Sequence, residues 1–257
     1  YAPPMVYLCI EPTSSRPRDF LFFHFASPCI ILKPMKDPLR KRNFRDLSYL
    51  TNQDGMKLKD GLFFRSASLY KLKKRERKAY EKLDLDLILD FRTNGEVYKK
   101  PDESIDGASY VHLPLVPDET MGISHEKGLK GYKVPPNMIE LYAHIVTSEE
   151  SLPHIREALS KIFDLSYGPR LWHCTVGKDR AGIISALFLL LLGYSEEDIL
   201  NDYAISDRND FRRKGSLYRF LILVFAWKKD LANGVYKIMR AYKEYLESCF
   251  NAMKEKC

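Results

Sequence analysis

Residues 173–182 read His-Cys-Thr-Val-Gly-Lys-Asp-Arg-Ala-Gly. This short stretch holds what a phosphate ester needs: a nucleophile, donors for anionic oxygens and a proton source. Cys174 is the nucleophile, because the thiolate rather than the thiol attacks. A helix N-terminus beside Lys178 and Arg180 favours that thiolate. The five residues between Cys174 and Arg180 suit a tight loop. The backbone N–H groups of Thr175, Val176, Gly177, Lys178 and the residues up to Ala181 would cradle an anion there. Gly177 eases the loop's conformation. Arg180 closes the loop with a two-pronged contact to phosphate oxygens. Its charge also meets the negative charge that spreads over the equatorial oxygens in the transition state. Cys-x5-Arg spacing alone is a weak signal; its setting makes it chemical. An apolar strand, Leu171-Trp172-His173, runs into Cys174, and an apolar helix over 183–192 follows.

The rest of the chain must position that loop. Gly61 to Arg65, Leu85 to Leu89 and Tyr110 to Leu115 read as further strands. Helical spacing predicts helices over 68–83, 139–146 and 155–163. Ser195 to Asp198 has the form of a capping box before a helix ending near Ser206. A final helix is expected over 235–254. Strands alternating with helices indicate an α/β fold with a mostly parallel central sheet flanked by helices. Such folds bind ligands beyond the carboxyl ends of their strands. Asp90, Arg92, Asp118 and Cys174 all follow strand ends, so one site is expected to gather them. Residues 1–38 read as an N-terminal extension with two short strands, and 39–257 as the catalytic domain. Within it, 118–164 is expected to form a helical insert lying over the site as a lid, and 195–257 the C-terminal helices.

The 257 residues are 45% hydrophobic and 29% charged, an ordinary globular balance. The net charge of +7 suits acidic or phosphorylated ligands, including peripheral contact with a membrane surface. No nucleic-acid-binding signature accompanies it, so nucleic acid is not expected as a partner. Five cysteines without a CxxC pair suggest neither a disulfide framework nor a metal site. A reducing, cytoplasmic setting fits a working thiol, with secretion as the alternative. The apolar runs are too short to span a bilayer. The chemistry calls for no cofactor.

These residues also carry a family resemblance. His173-Cys174-x-x-Gly177-x-x-Arg180 resembles the protein tyrosine and dual-specificity phosphatase superfamily. The fuller string, with Lys178, Asp179, Ala181 and Gly182, is similar to a bacterial and fungal branch related to the mycobacterial secreted tyrosine/lipid phosphatase. Asn43-Phe44-Arg45-Asp46-Leu47, Phe64-Arg65-Ser66-Ala67-Ser68-Leu69 and Asp90-Phe91-Arg92 resemble further segments of that branch, in the same order. The resemblance covers roughly residues 40–210. It implies dephosphorylation through a phosphocysteine, with phosphotyrosine as substrate and phosphoserine, phosphothreonine and phosphoinositides as extensions. Lys178 either meets a second phosphate on an inositol ring or stabilises the thiolate. Ala181 departs from the wider superfamily, where a Ser or Thr hydroxyl at that position supports the leaving thiolate; Thr175 or backbone donors would take over.

Two aspartates compete as the general acid that protonates the leaving oxygen. The resemblance favours Asp179, inside the loop. Asp118 sits on a loop after a strand, where relatives elsewhere in the superfamily carry their acid. Asp90 is expected to brace the loop backbone and Arg92 to pair with Glu96. His173 is expected to orient the Cys174 backbone rather than act as a base. Two other readings stay open: a phosphatase of inositol polyphosphates or phosphometabolites, and a module that binds phosphorylated ligands without turnover.

Overall fold

The computed structural model describes residues 10–12, 38–118, 137–208 and 236–256. Seven strands are present among them: β1 (Ile10–Pro12), β2 (Arg45–Asp46), β3 (Met56–Leu58), β4 (Phe63–Ala67), β5 (Leu87–Asp90), β6 (Ser109–His112) and β7 (Arg170–Cys174). The helices are α1 (Lys74–Glu81), α2 (Asn94–Lys99), α3 (Met138–Thr147), α4 (Ser151–Phe163), α5 (Asp179–Leu191), α6 (Glu196–Arg208) and α7 (Lys243–Lys256). Five strands form one sheet in the order β2-β4-β7-β5-β6. β4, β7, β5 and β6 are parallel, and β2 adds an antiparallel edge. The sheet is therefore mixed but mostly parallel, flanked by helices. β1 and β3 pair separately.

The strand residues sort themselves by the two-residue period of a pleated strand. Phe63, Leu87, Leu89 and Trp172 face the larger core with α3 to α7. Phe64, Ile88 and Leu171 face the smaller one with Leu69, Tyr80, Leu85 and Ile105. Both faces of the central strands are covered, which is why β5 and β7 are buried throughout. α5 is buried from Arg180 to Ser185 and again at Ala186, Phe188 and Leu189, as befits a helix apolar on most sides. Phe188 packs on Phe63, Phe163 and Trp172. Trp172 Nε1 donates to Ser185 Oγ at 2.9 Å. The two elements that flank the Cys174–Arg180 loop, β7 and α5, are thereby fixed to each other.

Two expectations change. The helix expected from Ser68 begins only at Lys74. Lys71 has φ of 49°, and the N–H groups of Leu69 and Leu72 donate to the Asp102 and Glu103 carboxylates instead of into a helix. The final helix begins at Lys243, after a break over residues 240–242. That break leaves the Ile238 and Arg240 carbonyls to accept from Lys178 Nζ, at 2.5 and 2.8 Å. The described half of the expected lid, α3 and α4, is built into the main core through Leu141, Ile145, Ile155, Ala158 and Ile162. The strands expected over 20–32, and residues 119–136 of the insert, lie outside the described residues. Among the described residues no helix is long and apolar enough to cross a membrane.

Candidate active site

β7 ends at Cys174 and α5 begins at Asp179, so residues 175–178 form the connecting loop. Cys174 is buried, and its strand neighbour across the sheet is Ala67 of β4. Gly177 has φ of +71°, and a Cβ there would stand 2.3 Å from the Ser66 carbonyl oxygen. Only glycine satisfies both the left-handed backbone and that approach.

The loop is held from its carbonyl side. Asn43 Nδ2 donates to Gly177 O at 2.9 Å and to Val176 O at 3.4 Å. Arg65 Nη2 donates to Gly177 O at 2.9 Å and to Lys178 O at 3.2 Å. A planar trans peptide points its N–H opposite its C=O. The N–H groups of Gly177, Lys178 and Asp179 are therefore turned away from those donors. Arg65 is completely buried on β4, and Asp202 of α6 neutralises it at 2.9 Å. Arg45 reaches the same carboxylate at 3.0 Å. Burial above all, and Arg65 beside it, pull Arg45 down to about 10, with Asp202 offsetting only part of this.

Arg180 opens α5 from within the site. Its Nη1 and Nη2 donate to the two Glu96 carboxylate oxygens at 2.5 and 3.0 Å. Burial works against the guanidinium charge, but Glu96 and then Cys174 outweigh it and raise its proton affinity. Arg180 Nε is buried and has no hydrogen-bond partner among the described residues. Glu96 also accepts from the Thr93 N–H at 2.9 Å and from the Thr175 hydroxyl. Burial resists its charge, yet the Arg180 contact prevails and brings the carboxyl down to about 2.

His173 precedes Cys174 and is completely buried. Its Nδ1 lies 3.4 Å from Cys174 O and 3.7 Å from Asp90 Oδ1. Its Nε2 stands 3.0 Å from Asp102 Oδ2, at ion-pair distance without hydrogen-bond alignment. Burial disfavours the imidazolium, but Asp90 and Asp102 more than compensate and raise its proton affinity. Arg92 pairs with Asp90 at 2.6 Å and Asp102 at 2.9 Å. The expected Arg92–Glu96 pair does not form, because Glu96 is taken by Arg180. Asp90 does not bond the loop; it holds Arg92 and the Tyr110 hydroxyl. Asp90, Asp102 and His173 bring possible metal-ligand atoms within 4.8 Å of one another. The Arg92 guanidinium already supplies the positive charge that a metal would bring.

Lys178 is buried and faces the C-terminal segment rather than open solvent. Its Nζ also lies 3.2 Å from Asp179 Oδ1. Asp179 accepts from the Tyr142 hydroxyl at 2.5 Å. The Asp118 carboxylate accepts from the Gly95 N–H at 3.1 and 3.2 Å, at the start of α2 and next to Glu96. Val176 is half exposed at 51%, and Ala181 is fully buried, offering no hydroxyl. Sequence reasoning passes over Asn43, Arg65, Asp102 and Asp202 as individual site residues, and gives Glu96 the wrong partner. Two signals point to them. Thr93-x-x-Glu96 is a capping box, and an arginine inside the apolar strand Phe63–Ala67 requires a buried counter-ion.

The chain matches the tyrosine phosphatase family over residues 39–257. A tyrosine-protein phosphatase of Nostoc commune is 33% identical over 146 residues, covering 56% of this chain and 48% of that protein. The triple specificity protein phosphatase PtpB of Mycobacterium tuberculosis is 26% identical, covering 64% and 66%. These matches thus span about half to two thirds of the relatives' own lengths. Among solved structures, the core catalytic domain of the PP-IP phosphatase SIW14 from S. cerevisiae is 17% identical. That match covers 66% of this chain and 77% of that one, with a TM-score of 0.36. The family match extends over most of the chain and includes every element that builds the loop: the chain belongs to the tyrosine phosphatase family.

Proposed function

We propose that the chain is a cysteine-dependent phosphatase that hydrolyses phosphotyrosine in proteins. The observation that carries this reading is the position of Arg180: its buried Nε has no hydrogen-bond partner among the described residues, and it shares with Cys174 a loop whose carbonyls are bonded away, whereas Arg65, with the same unpartnered Nε, stands on the carbonyl side. A buried donor without a partner costs about 1–3 kcal/mol, and a phosphate oxygen would satisfy it.

The Cys174 thiolate attacks phosphorus, forming a P–S bond as the ester P–O bond breaks. Asp179 gives its proton to the departing oxygen. Water then attacks phosphorus, the P–S bond breaks, the thiolate is restored and Asp179 takes the water's proton. Arg180 and the loop N–H groups meet the charge on the equatorial oxygens. Asp179 is favoured over Asp118 because it shares the loop with Cys174 and Arg180 and only its Oδ1 is engaged among the described residues, whereas both Asp118 oxygens accept from the Gly95 N–H. The Thr175 hydroxyl, bonded to Glu96 and 3.3 Å from Arg180 Nη2, is the side chain nearest in role to the hydroxyl that Ala181 lacks.

Lys178 favours phosphotyrosine over phosphoinositide. Its ammonium is engaged by the Ile238 and Arg240 carbonyls and by Asp179, so a second ring phosphate would have to displace them. The test sets a phosphotyrosine peptide, a phosphoinositide and an inositol polyphosphate side by side, with Cys174→Ser as control. The peptide is expected to turn over fastest, to be inhibited by vanadate and to fall to background in Cys174→Ser. Turnover that needs a metal and survives Cys174→Ser would overturn the proposal.

A further inference from the structure

The two oxygens of Asp179 meet different surroundings. Oδ1 accepts from Tyr142 at 2.5 Å and stands 3.2 Å from Lys178 Nζ. Oδ2 has no hydrogen-bond partner among the described residues, while the side chain keeps 20% exposure. Tyr142 of α3 is fully buried, and its hydroxyl lies 2.7 Å from that of Tyr203 on α6. The rings of Tyr203 and Tyr245 pack around it at 6.2 and 5.8 Å.

The direction of this chain follows from counting protons. A phenol has one hydrogen, and an ionised carboxylate only accepts. The Tyr142 hydrogen therefore points to Asp179, and Tyr203 must donate to Tyr142. Burial, and then the Asp179 charge, hold both phenols well above their ordinary pKa, so they stay protonated donors. When Asp179 itself is protonated, a hydrogen on Oδ1 would crowd against the Tyr142 hydrogen and the Lys178 ammonium. A hydrogen on Oδ2 meets neither.

Resting on the assignment of Asp179 as the acid, we infer that the Tyr203–Tyr142 pair is a positioning device that reserves Oδ1 and leaves the transferable proton on Oδ2. In the first step the Oδ2–H bond breaks as the leaving oxygen gains that proton. The carboxylate then formed is stabilised at Oδ1 by Tyr142 and Lys178. In the second step the water's proton returns to Oδ2. Lys178, itself fixed by two carbonyls, acts in this arrangement on the acid rather than on substrate.

The experiment compares Tyr142→Phe with wild type in the full chain on two aryl phosphates. Phenyl phosphate needs a protonated leaving group; 2,4-dinitrophenyl phosphate does not. The expected result is a fall in kcat/KM of about 10-fold or more on phenyl phosphate, part of the roughly 10²–10⁴-fold that a general acid supplies. On the dinitrophenyl ester kcat/KM should stay close to wild type, because it reports only the steps up to the phosphocysteine. Tyr203→Phe should act in the same direction more weakly, and it carries the test if Tyr142→Phe does not fold. Asp179→Asn separates the two claims. If it lowers kcat/KM equally on both esters, the acid assignment falls and this inference with it. If Asp179→Asn is selective for phenyl phosphate while the tyrosine variants slow both esters equally or neither, the inference alone is overturned.

Discussion

Asp202 serves two arginines, Arg45 and Arg65, whereas Glu96 serves one, Arg180. All five side chains are buried and all act on the same loop. Behind the loop the terminal guanidinium nitrogens are committed, although Arg45 Nε and Arg65 Nε are buried without a hydrogen-bond partner among the described residues. Arg65 holds the Gly177 and Lys178 carbonyls, and Arg45 holds Ser206 and Asn43. Arg180 has the same unpartnered Nε among the described residues, but beside Cys174. The first cluster is short of negative charge, and the second is balanced one to one. A buried ion pair is weak evidence for net stability, so the difference is one of purpose. Asp202 holds the arginines behind the loop's carbonyls, and Glu96 holds the arginine that shares the loop with Cys174.

The largest expected effect comes from breaking the first cluster. Asp202→Ala leaves two buried guanidinium groups without a counter-ion and should cost about 3–5 kcal/mol, read as a lower urea midpoint at unchanged slope. Arg45→Met should cost well under half of that, since Arg65 and Asp202 remain as a one-to-one pair. A loss below about 1 kcal/mol for Asp202→Ala would mean that the two arginines do not depend on it.

Breaking the second cluster should show in catalysis first. Glu96→Ala frees Arg180 from its two-pronged hold and is expected to lower kcat/KM about 10²-fold, the scale of a misplaced catalytic group. Its stability cost should depend on pH. The Glu96 carboxyl is lowered from 4.5 to about 2 in the folded chain, so its contribution is fully present above the unfolded value and is lost as pH falls through the folded one. The stability gap between wild type and Glu96→Ala should therefore narrow from pH 4.5 towards pH 2. A gap constant across that window would show that the Arg180 contact does not govern the Glu96 charge.

The contrast between loop and counter-ions also separates what is legible in the sequence from what is not. Cys174, Gly177 and Arg180 are legible because a loop between a strand and a helix is a local structure. Its backbone obeys rules that act over a few residues. The parallel sheet is legible from its apolar runs, although not its strand order. The counter-ions are not legible, because Asp202 lies 137 residues from Arg65 and Glu96 84 residues from Arg180. Nothing in the local pattern at Asp202 distinguishes it from a solvated helix carboxylate. Lys178 misleads for the same reason: its partners are backbone carbonyls 60 and 62 residues away, exposed by a break in a segment that reads as one helix.

The smallest expected effect tests whether the cradle needs both of its carbonyl braces. Asn43 has φ of 52°, a left-handed conformation that asparagine tolerates better than most residues. Its amide donates to Gly177 O and to Ser206 Oγ at 3.2 Å. Asn43→Gly keeps the backbone conformation and removes the amide's bonds to Gly177 O, Ser206 Oγ and Arg45 Nη1; with Arg65 still serving Gly177 O and Arg45 still serving Ser206, it should cost about 1–2 kcal/mol. Asn43→Ala should cost about 1–2 kcal/mol more, because alanine also meets the left-handed penalty. Urea unfolding of the two variants separates these contributions. If Asn43→Gly is as stable as wild type, Arg65 alone orients the Gly177 carbonyl, and the rigidity of the cradle then depends entirely on the cluster around Asp202.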